Sequence, residues 1–348
     1  MPKVIVRNVQ LTKLYPLAIS RGVSTGSKNT FVFAEEDGIV GVGECAPGTG
    51  VDGSLAEIAE QQILELTKDG LPGMSIHDVW KAGMRAQMDP SALAAVDVAL
   101  WDLKAKKAGL PLYSLLGLSK PTVPTSVTIG IGTTELIRER VPEILNRTGA
   151  KFLKIKLGSP DGIFRDRENF LAARSASARH NVKLRVDANG GWTVDKAKRM
   201  MVFLAEHGAE YVEQPLPQGM EAELPLLFEG RPLPIFVDES CRLSTDIPTF
   251  AHCVDGVNLK LMKCGGITEA LRIVATARAH RLETMIGCMG ESSVAIAAGA
   301  SLGSLMDYID LDSHFNLNPD PGSGVDMIDG VVTPRDVPGH GGFLVAKG

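Results

Sequence analysis

Three acids recur at almost equal intervals in the second half of the chain. Asp187, Glu213 and Asp238 are 26 and 25 residues apart, and each lies in or just after a short apolar run: KLRVDANG (183–190), AEYVEQPL (209–216) and IFVDES (235–240). Carboxylates brought to one point repel one another unless a cation lies between them. An all-oxygen set suits Mg2+, with water and substrate oxygens completing an octahedron. His and Cys are absent from these positions, which disfavours zinc. One such acid alone reads as a solvated strand end or a lysine's partner, but three in phase point to a shared ion.

Lysines accompany them. Lys154 and Lys156 lie in FLKIKLG (152–158), and Lys260 lies in GVNLKLM (256–262). Side chains alternate along a strand, so Lys154 and Lys156 share a face, as do Asp187 with Asn189 and Asp310 with Asp312 in DYIDLDS (307–313). A buried lysine beside other positive charge has its neutral form favoured and can remove a proton near neutral pH. Lys154 and the metal would supply that charge to Lys156. The competing reading pairs Lys154 with Asp187 and gives it no chemistry. Lys263 competes with Lys260 for the second base; its odd offset points it away from the interior and ranks it as peripheral.

Elements must position these groups. From residue 125 strands alternate with helical segments: TSVTIGIG (125–132), the six runs 152–158, 183–190, 209–216, 235–240, 256–262 and 283–289, and DYIDLDS. Eight strands joined by helices predict a parallel βα barrel, whose active site forms at the C-terminal strand ends. An open doubly wound sheet is the alternative, but GIGTTEL is a poor phosphate loop. On a barrel, strands two and six face each other, which sets Lys156 opposite Lys260.

The first third reads differently. Residues 3–12 alternate as a strand, and 30–45 (TFVFAEEDGIVGVGEC) form a hairpin about EEDG. SALAAVDVALWDLKAKKAG predicts a helix with Ser91 as N-cap, one apolar face of Leu93, Val96, Leu100 and Leu103, and a stop at Gly109. We read an α+β domain over 1–120, a barrel over 121–315, and a Gly/Pro/Asp-rich return over 316–348 that closes the first domain. SRGVSTGSKN (20–29) and APGTGVDGS (46–54) have the Gly/Ser content of lids.

Composition sets the class. The 348 residues carry 36 Lys+Arg against 41 Asp+Glu, a net charge of -5, with 44% hydrophobic residues. This is globular composition, and its mild acidity argues against nucleic-acid or anionic-membrane partners. Five scattered cysteines without a CxxC pair, no leader and no spanning segment predict a cytoplasmic protein.

With these residues placed, the chain resembles the enolase superfamily in its muconate-lactonising branch. The matching segments are GVGEC (41–45), ALWDLKAKKAGLPLYSLLG (99–117), KIK (154–156), DANGGW (187–192), VEQPL (212–216), DES (238–240) and NLKLMKCGGITEA (258–270). The resemblance spans essentially the whole chain. It implies a modified TIM barrel, (β/α)7β, under an α+β capping domain. It also implies one Mg2+ per active site on Asp187, Glu213 and Asp238. Lys156 and Lys260 become the paired bases, Lys154 an auxiliary lysine, and Asn189 and Glu239 groups that hold ligands or lysines in place. The shared step removes a proton alpha to a carboxylate and gives a metal-stabilised enediolate.

The branch includes muconate cycloisomerases, o-succinylbenzoate synthases, N-acylamino acid racemases and dipeptide epimerases. Asp310-Leu311-Asp312 looks like the DxD motif of the dipeptide epimerases, and two inward acids would bind a dipeptide's free α-ammonium. GCMGES (287–292), with Met289, would leave room for a peptide backbone. Arg21 is the loop cation expected to meet a substrate side-chain carboxylate. The implied activity is epimerisation of L-Ala-D/L-Glu, in a role such as murein peptide recycling. A homo-oligomer is compatible with the resemblance, though no patch marks an interface. The rival from another class is a non-catalytic barrel that binds a metabolite.

Overall fold

The computed structural model describes residues 2–47, 54–71 and 73–345. The chain begins with β1 (Lys3–Ile19), β2 (Gly22–Glu36) and β3 (Ile39–Cys45), an antiparallel sheet in the order β1-β2-β3. One of the sequence expectations changes here. Residues 22–29 are strand rather than loop, part of β2, with Lys28 opposite Gln10 and Ser27 opposite Leu11. Their Gly and Ser content reads as a loop, but the ladder to β1 supplies the backbone partners, and only Ser20–Arg21 turns. The register slips between Thr12 and Leu17, which bends this long hairpin. Of the second expected lid, residues 48–53 lie outside the described residues.

Helices α1 (Ser54–Thr67), α2 (Ile76–Arg85) and α3 (Pro90–Lys107) follow. The N-cap of α3 is Asp89 rather than Ser91: the Asp89 carboxylate accepts from Ser91 N, and Pro90 fills the first helical position. The expected single apolar face is also replaced, because every residue from Ser91 to Leu103 is buried. Leu93, Val96, Leu100 and Leu103 pack with Val32 and Ala34 of the sheet, while Val98, Trp101 and Ala105 pack into the barrel's core. A helix between two layers has no polar side. The GVG of β3 lets it come close, since a Cβ on Gly41 or Gly43 would strike the carbonyls of Ala99 and Ala95.

The barrel strands are β4 (Ser126–Ile129), β5 (Phe152–Lys156), β6 (Lys183–Asp187), β7 (Ala209–Glu213), β8 (Ile235–Val237), β9 (Gly256–Leu259), β10 (Glu283–Gly287) and β11 (Tyr308–Asp310). They form one parallel sheet in sequence order, and a bridge from Thr125 to Ile309 nearly closes it. Seven segments lie between them, led by the helices Thr134–Thr148, Ile163–Ser177, Val194–Glu206, Ile267–Ala279 and Ser293–Ala300, with short turns at Pro225–Phe228 and Ile247–Phe250. This is the expected (β/α)7β barrel under a capping domain. The strands stop earlier than the apolar runs suggest. Past the barrel, the chain returns to the N-terminal helices: His340 N donates to Asp102 Oδ1 at 2.8 Å and Leu112 N to Gly339 O at 2.7 Å. Among the described residues no helix is long and apolar enough to cross a membrane.

Candidate active site

The predicted site residues of the barrel sit at the last position of a strand or within two residues beyond it, except Lys154, which is two residues before the end of β5. Register does much of the alignment: Lys156 pairs with Asp187, and Asp187 with Glu213, along neighbouring strands. Asp238 follows β8 directly, and Lys260 follows β9. Carboxylate oxygens of Asp187, Glu213 and Asp238 lie within 4.8 Å of one another, and all three side chains are buried. Three hard oxygen donors from three adjacent strands, closed to solvent, fit a divalent cation of the Mg2+ kind.

Three lysines neutralise the acids. Lys154 Nζ is 2.7 Å from Glu213 Oε2, 2.6 Å from Asp310 Oδ2 and 3.6 Å from Asp187 Oδ2. Lys156 Nζ is 2.5 Å from Asp187 Oδ2, and Lys260 Nζ is 2.8 Å from Asp238 Oδ2. Lys156 and Lys260 therefore enter from β5 and β9, four strands apart on an eight-stranded barrel. Gly287 on β10 makes room for Lys260, because a Cβ there would sit 3.0 Å from Lys260 Cε and 2.9 Å from the Asn258 carboxamide.

Burial opposes charge at Lys154, Lys260 and the three acids of the trio, and the neighbours decide the outcome. Burial lowers the Lys154 pKa, but Asp310, Glu213 and Asp187 outweigh it and raise it well above the usual value. Lys260 is likewise raised, with Asp238 overcoming burial. Burial alone would raise Asp187 and Asp238, yet their lysine partners hold both below the usual carboxylate range. Glu213 goes the other way, pushed up to about 7 by burial and by Asp187.

Lys263 is a correction. It is not peripheral: its Nζ lies 2.5 Å from Asp238 Oδ1 and donates to the carbonyls of Asp238, Cys241 and Asn258. The strand alternation that pointed it outward has ended by then. A helical turn over Leu261–Cys264, closed by Gly265 at φ 80°, swings it back.

Around the acids, Asn189 (φ 43°) donates through its N to Asp187 Oδ1 at 2.7 Å and through Nδ2 to Asp187 Oδ2 at 3.0 Å. Glu239 Oε1 accepts from Asn189 Nδ2 at 3.3 Å. Arg21 comes from the hairpin tip. Its Nη2 lies 2.6 Å from Glu239 Oε1, and its Nη1 donates to Asn189 O at 2.8 Å. Beside this contact lies a cleft of about 490 Å³ lined by Arg21, Asn189, Lys196, Gln214 and Glu239 among others.

Across the mouth, Asp310 keeps Oδ1 buried and without a hydrogen-bond partner among the described residues. Asp312 Oδ2 accepts from Thr128 N at 2.6 Å, and its pKa is pushed up to about 6 by burial and by Asp310. Met289, 38% exposed, follows β10 and donates its N to Glu291 Oε1 at 2.8 Å. Residue-by-residue reading missed two buried acids. Glu44, from the capping sheet, accepts from Ser292 N, Ser292 Oγ and Ala295 N, and so caps the helix after β10. Glu291 lies near it, and burial with Glu44's charge raises its pKa to about 8. An acid closing an apolar strand, as in GVGEC, was the only signal.

Comparison with known proteins agrees with this geometry. Residues 1–117 match the mandelate racemase / muconate lactonizing enzyme N-terminal domain, and residues 136–344 the enolase C-terminal domain-like family. A hydrophobic dipeptide epimerase of Roseobacter litoralis is 59% identical over 343 residues, covering 98% of this chain and 99% of the relative. An L-Ala-D/L-Glu epimerase of Bacteroides thetaiotaomicron is 34% identical, over 92% of this chain and 83% of its own. The crystal structure of a dipeptide epimerase from Enterococcus faecalis, complexed with Mg and L-Leu-L-Tyr, superposes with a TM-score of 0.89 at 33% identity, over 98% of both chains. The buried acid trio, the opposed lysines and these likenesses together place the chain in the mandelate racemase/muconate-lactonizing branch of the enolase superfamily, as a member of its dipeptide epimerase family.

Proposed function

We propose that the protein is a Mg2+-dependent epimerase of dipeptides, moving the α-proton of the C-terminal residue from one face to the other. The observation that carries this reading is the pair Lys156 and Lys260, each against a different acid of the trio and on opposite walls of the barrel. One lysine takes the proton, and the other returns one to the opposite face of the planar enediolate. Asp187, Glu213 and Asp238 would hold the cation, which would supply positive charge where the substrate carboxylate gains electron density. Lys154 adds fixed charge behind Glu213. Asp310 and Asp312 receive the α-ammonium: Asp310 Oδ1 is a buried acceptor with no donor among the described residues, and an ammonium supplies one.

For the side chain we infer apolar dipeptides. The L-Ala-D/L-Glu reading needs a cation free to meet the substrate's carboxylate, and Arg21 is committed to Glu239 and Asn189. The 59% identical relative, a hydrophobic dipeptide epimerase, supports the same choice. All five cysteines are free, which fits a reducing compartment such as the cytoplasm.

The test is a dipeptide panel incubated in D2O with and without Mg2+, read by NMR at the α-carbon. We expect metal-dependent deuterium incorporation and epimerisation, faster with Ala-Phe or Leu-Tyr than with Ala-Glu. Ala-Glu turning over fastest would overturn the apolar preference, and exchange with no dipeptide would favour a metabolite-binding barrel.

A further inference from the structure

The hairpin tip and the acid trio are joined by one run of hydrogen bonds. Ser20 Oγ and Arg21 Nη1 both donate to Asn189 O, each at 2.8 Å. Arg21 Nη2 holds Glu239 Oε1, which accepts in turn from Asn189 Nδ2. Asn189 spends its own N and Nδ2 on the two carboxylate oxygens of Asp187. Its backbone is left-handed at φ 43°, a conformation a non-glycine residue keeps only where its surroundings hold it. The groups that hold its carbonyl come from the capping sheet, 168 and 169 residues away.

We propose that Arg21 is a positioning residue: a latch on the capping hairpin that orients Asp187 through Asn189 and Glu239, and so couples the seating of the cap to the strength of the metal centre. The proposal rests on the trio being that centre. Arg21 cannot serve as a free reader of substrate charge while both sides of its guanidinium fork are engaged. Its side chain is half-exposed, at 54%, and such pairs contribute little to folding stability. The latch can therefore open without unfolding the protein, while its closed form acts through Asn189 on the carboxylate that ligates. A lysine in its place could reach one acceptor but not span both, because it lacks the planar fork.

The experiment uses the full enzyme with Arg21→Ala, Arg21→Lys and Ser20→Ala. Mn2+ binding is followed by electron paramagnetic resonance without substrate, and kcat and KM are measured for Ala-Phe and Ala-Glu. Arg21→Ala should weaken Mn2+ binding about tenfold, as loss of groups that orient a metal ligand does. It should lower kcat for both dipeptides by a similar factor and leave their KM ratio unchanged. Arg21→Lys should restore part of the Mn2+ affinity. Ser20→Ala, which removes the other donor to Asn189 O, should shift affinity in the same direction and covers a failure of Arg21→Ala to fold. Unaltered Mn2+ affinity in Arg21→Ala overturns the latch, as does a loss confined to Ala-Glu, which would make Arg21 a substrate reader. Absence of Mn2+ binding by the unaltered enzyme overturns both the latch and the metal centre beneath it.

Discussion

Lys260 and Lys263 grip one carboxylate from its two oxygens: Lys260 Nζ lies 2.8 Å from Asp238 Oδ2, and Lys263 Nζ lies 2.5 Å from Oδ1. The two lysines have different surroundings. Lys263 also donates to three carbonyls and so is fixed, whereas among the described residues Lys260 Nζ has Asp238 as its one hydrogen-bond partner and stands opposite Lys156. The geometry assigns proton transfer to Lys260 and support to Lys263.

Lys263→Met should then lower stability by about 3 kcal/mol, because it strips a partner from a buried acid and leaves carbonyls unpaired. Urea denaturation would measure the loss. Metal-dependent α-proton exchange should persist, though weakened. Complete loss of exchange in a folded Lys263→Met protein would move the base from Lys260 to Lys263.

Lys156→Ala and Lys260→Ala should each abolish epimerisation. Each should still exchange the α-proton of one stereoisomer, and the two variants should prefer opposite stereoisomers. NMR in D2O with the separate L,L and L,D dipeptides reads this directly. Equal exchange of both stereoisomers in either variant would contradict one base per face.

Truncating Asp310 should cost substrate binding on the order of 2–5 kcal/mol, the range for losing one partner of a buried charged contact. Steady-state kcat/KM for Asp310→Ala measures it. N-acetylation of the dipeptide removes the ammonium and should be comparably damaging to the unaltered enzyme. Harmless N-acetylation would bring the N-acylamino acid racemase reading forward.

Glu291 makes a pH prediction. Burial and Glu44 raise its pKa to about 8 in the folded state, above the value near 4.5 of an unperturbed glutamate. The folded protein therefore binds more protons than the unfolded chain between those limits. Its contribution favours folding below about pH 4.5 and is lost as pH rises through about 8. Glu291→Gln should flatten the fall in stability across that window, by a few kcal/mol at most. Urea midpoints taken at pH 5, 6, 7 and 8 would show whether the two proteins converge at the acid end and part at the alkaline end.

The acid trio, the opposed lysines and the barrel were legible in the sequence because they share one regularity. A parallel strand aims alternate side chains at the barrel's interior, and its C-terminal end faces the mouth, so the residue closing each apolar run had a calculable place. Asp187, Glu213 and Lys156 lie where that rule puts them, in register on neighbouring strands. The rule carries one residue past the strand, to Asp238 and Lys260, and no further. Lys263 returned to Asp238 because the chain turns helical after Lys260, and Asn189 reached back to Asp187 because its backbone is left-handed. Local alternation also cannot report how many layers a helix separates, so α3 was read as one-faced although it is buried on both sides. Arg21 needed the tertiary structure most. Its partners lie 168 and 218 residues away, and a Gly/Ser-rich stretch gives no sign that it will pair as a strand or that Glu239 and Asn189 will hold its cation. Residue types and spacing determined which chemistry the chain can do. Contacts between distant segments decided how those groups are held, because a side chain's partners in the folded chain come from elements far apart in sequence, as Arg21's do at Asn189 and Glu239.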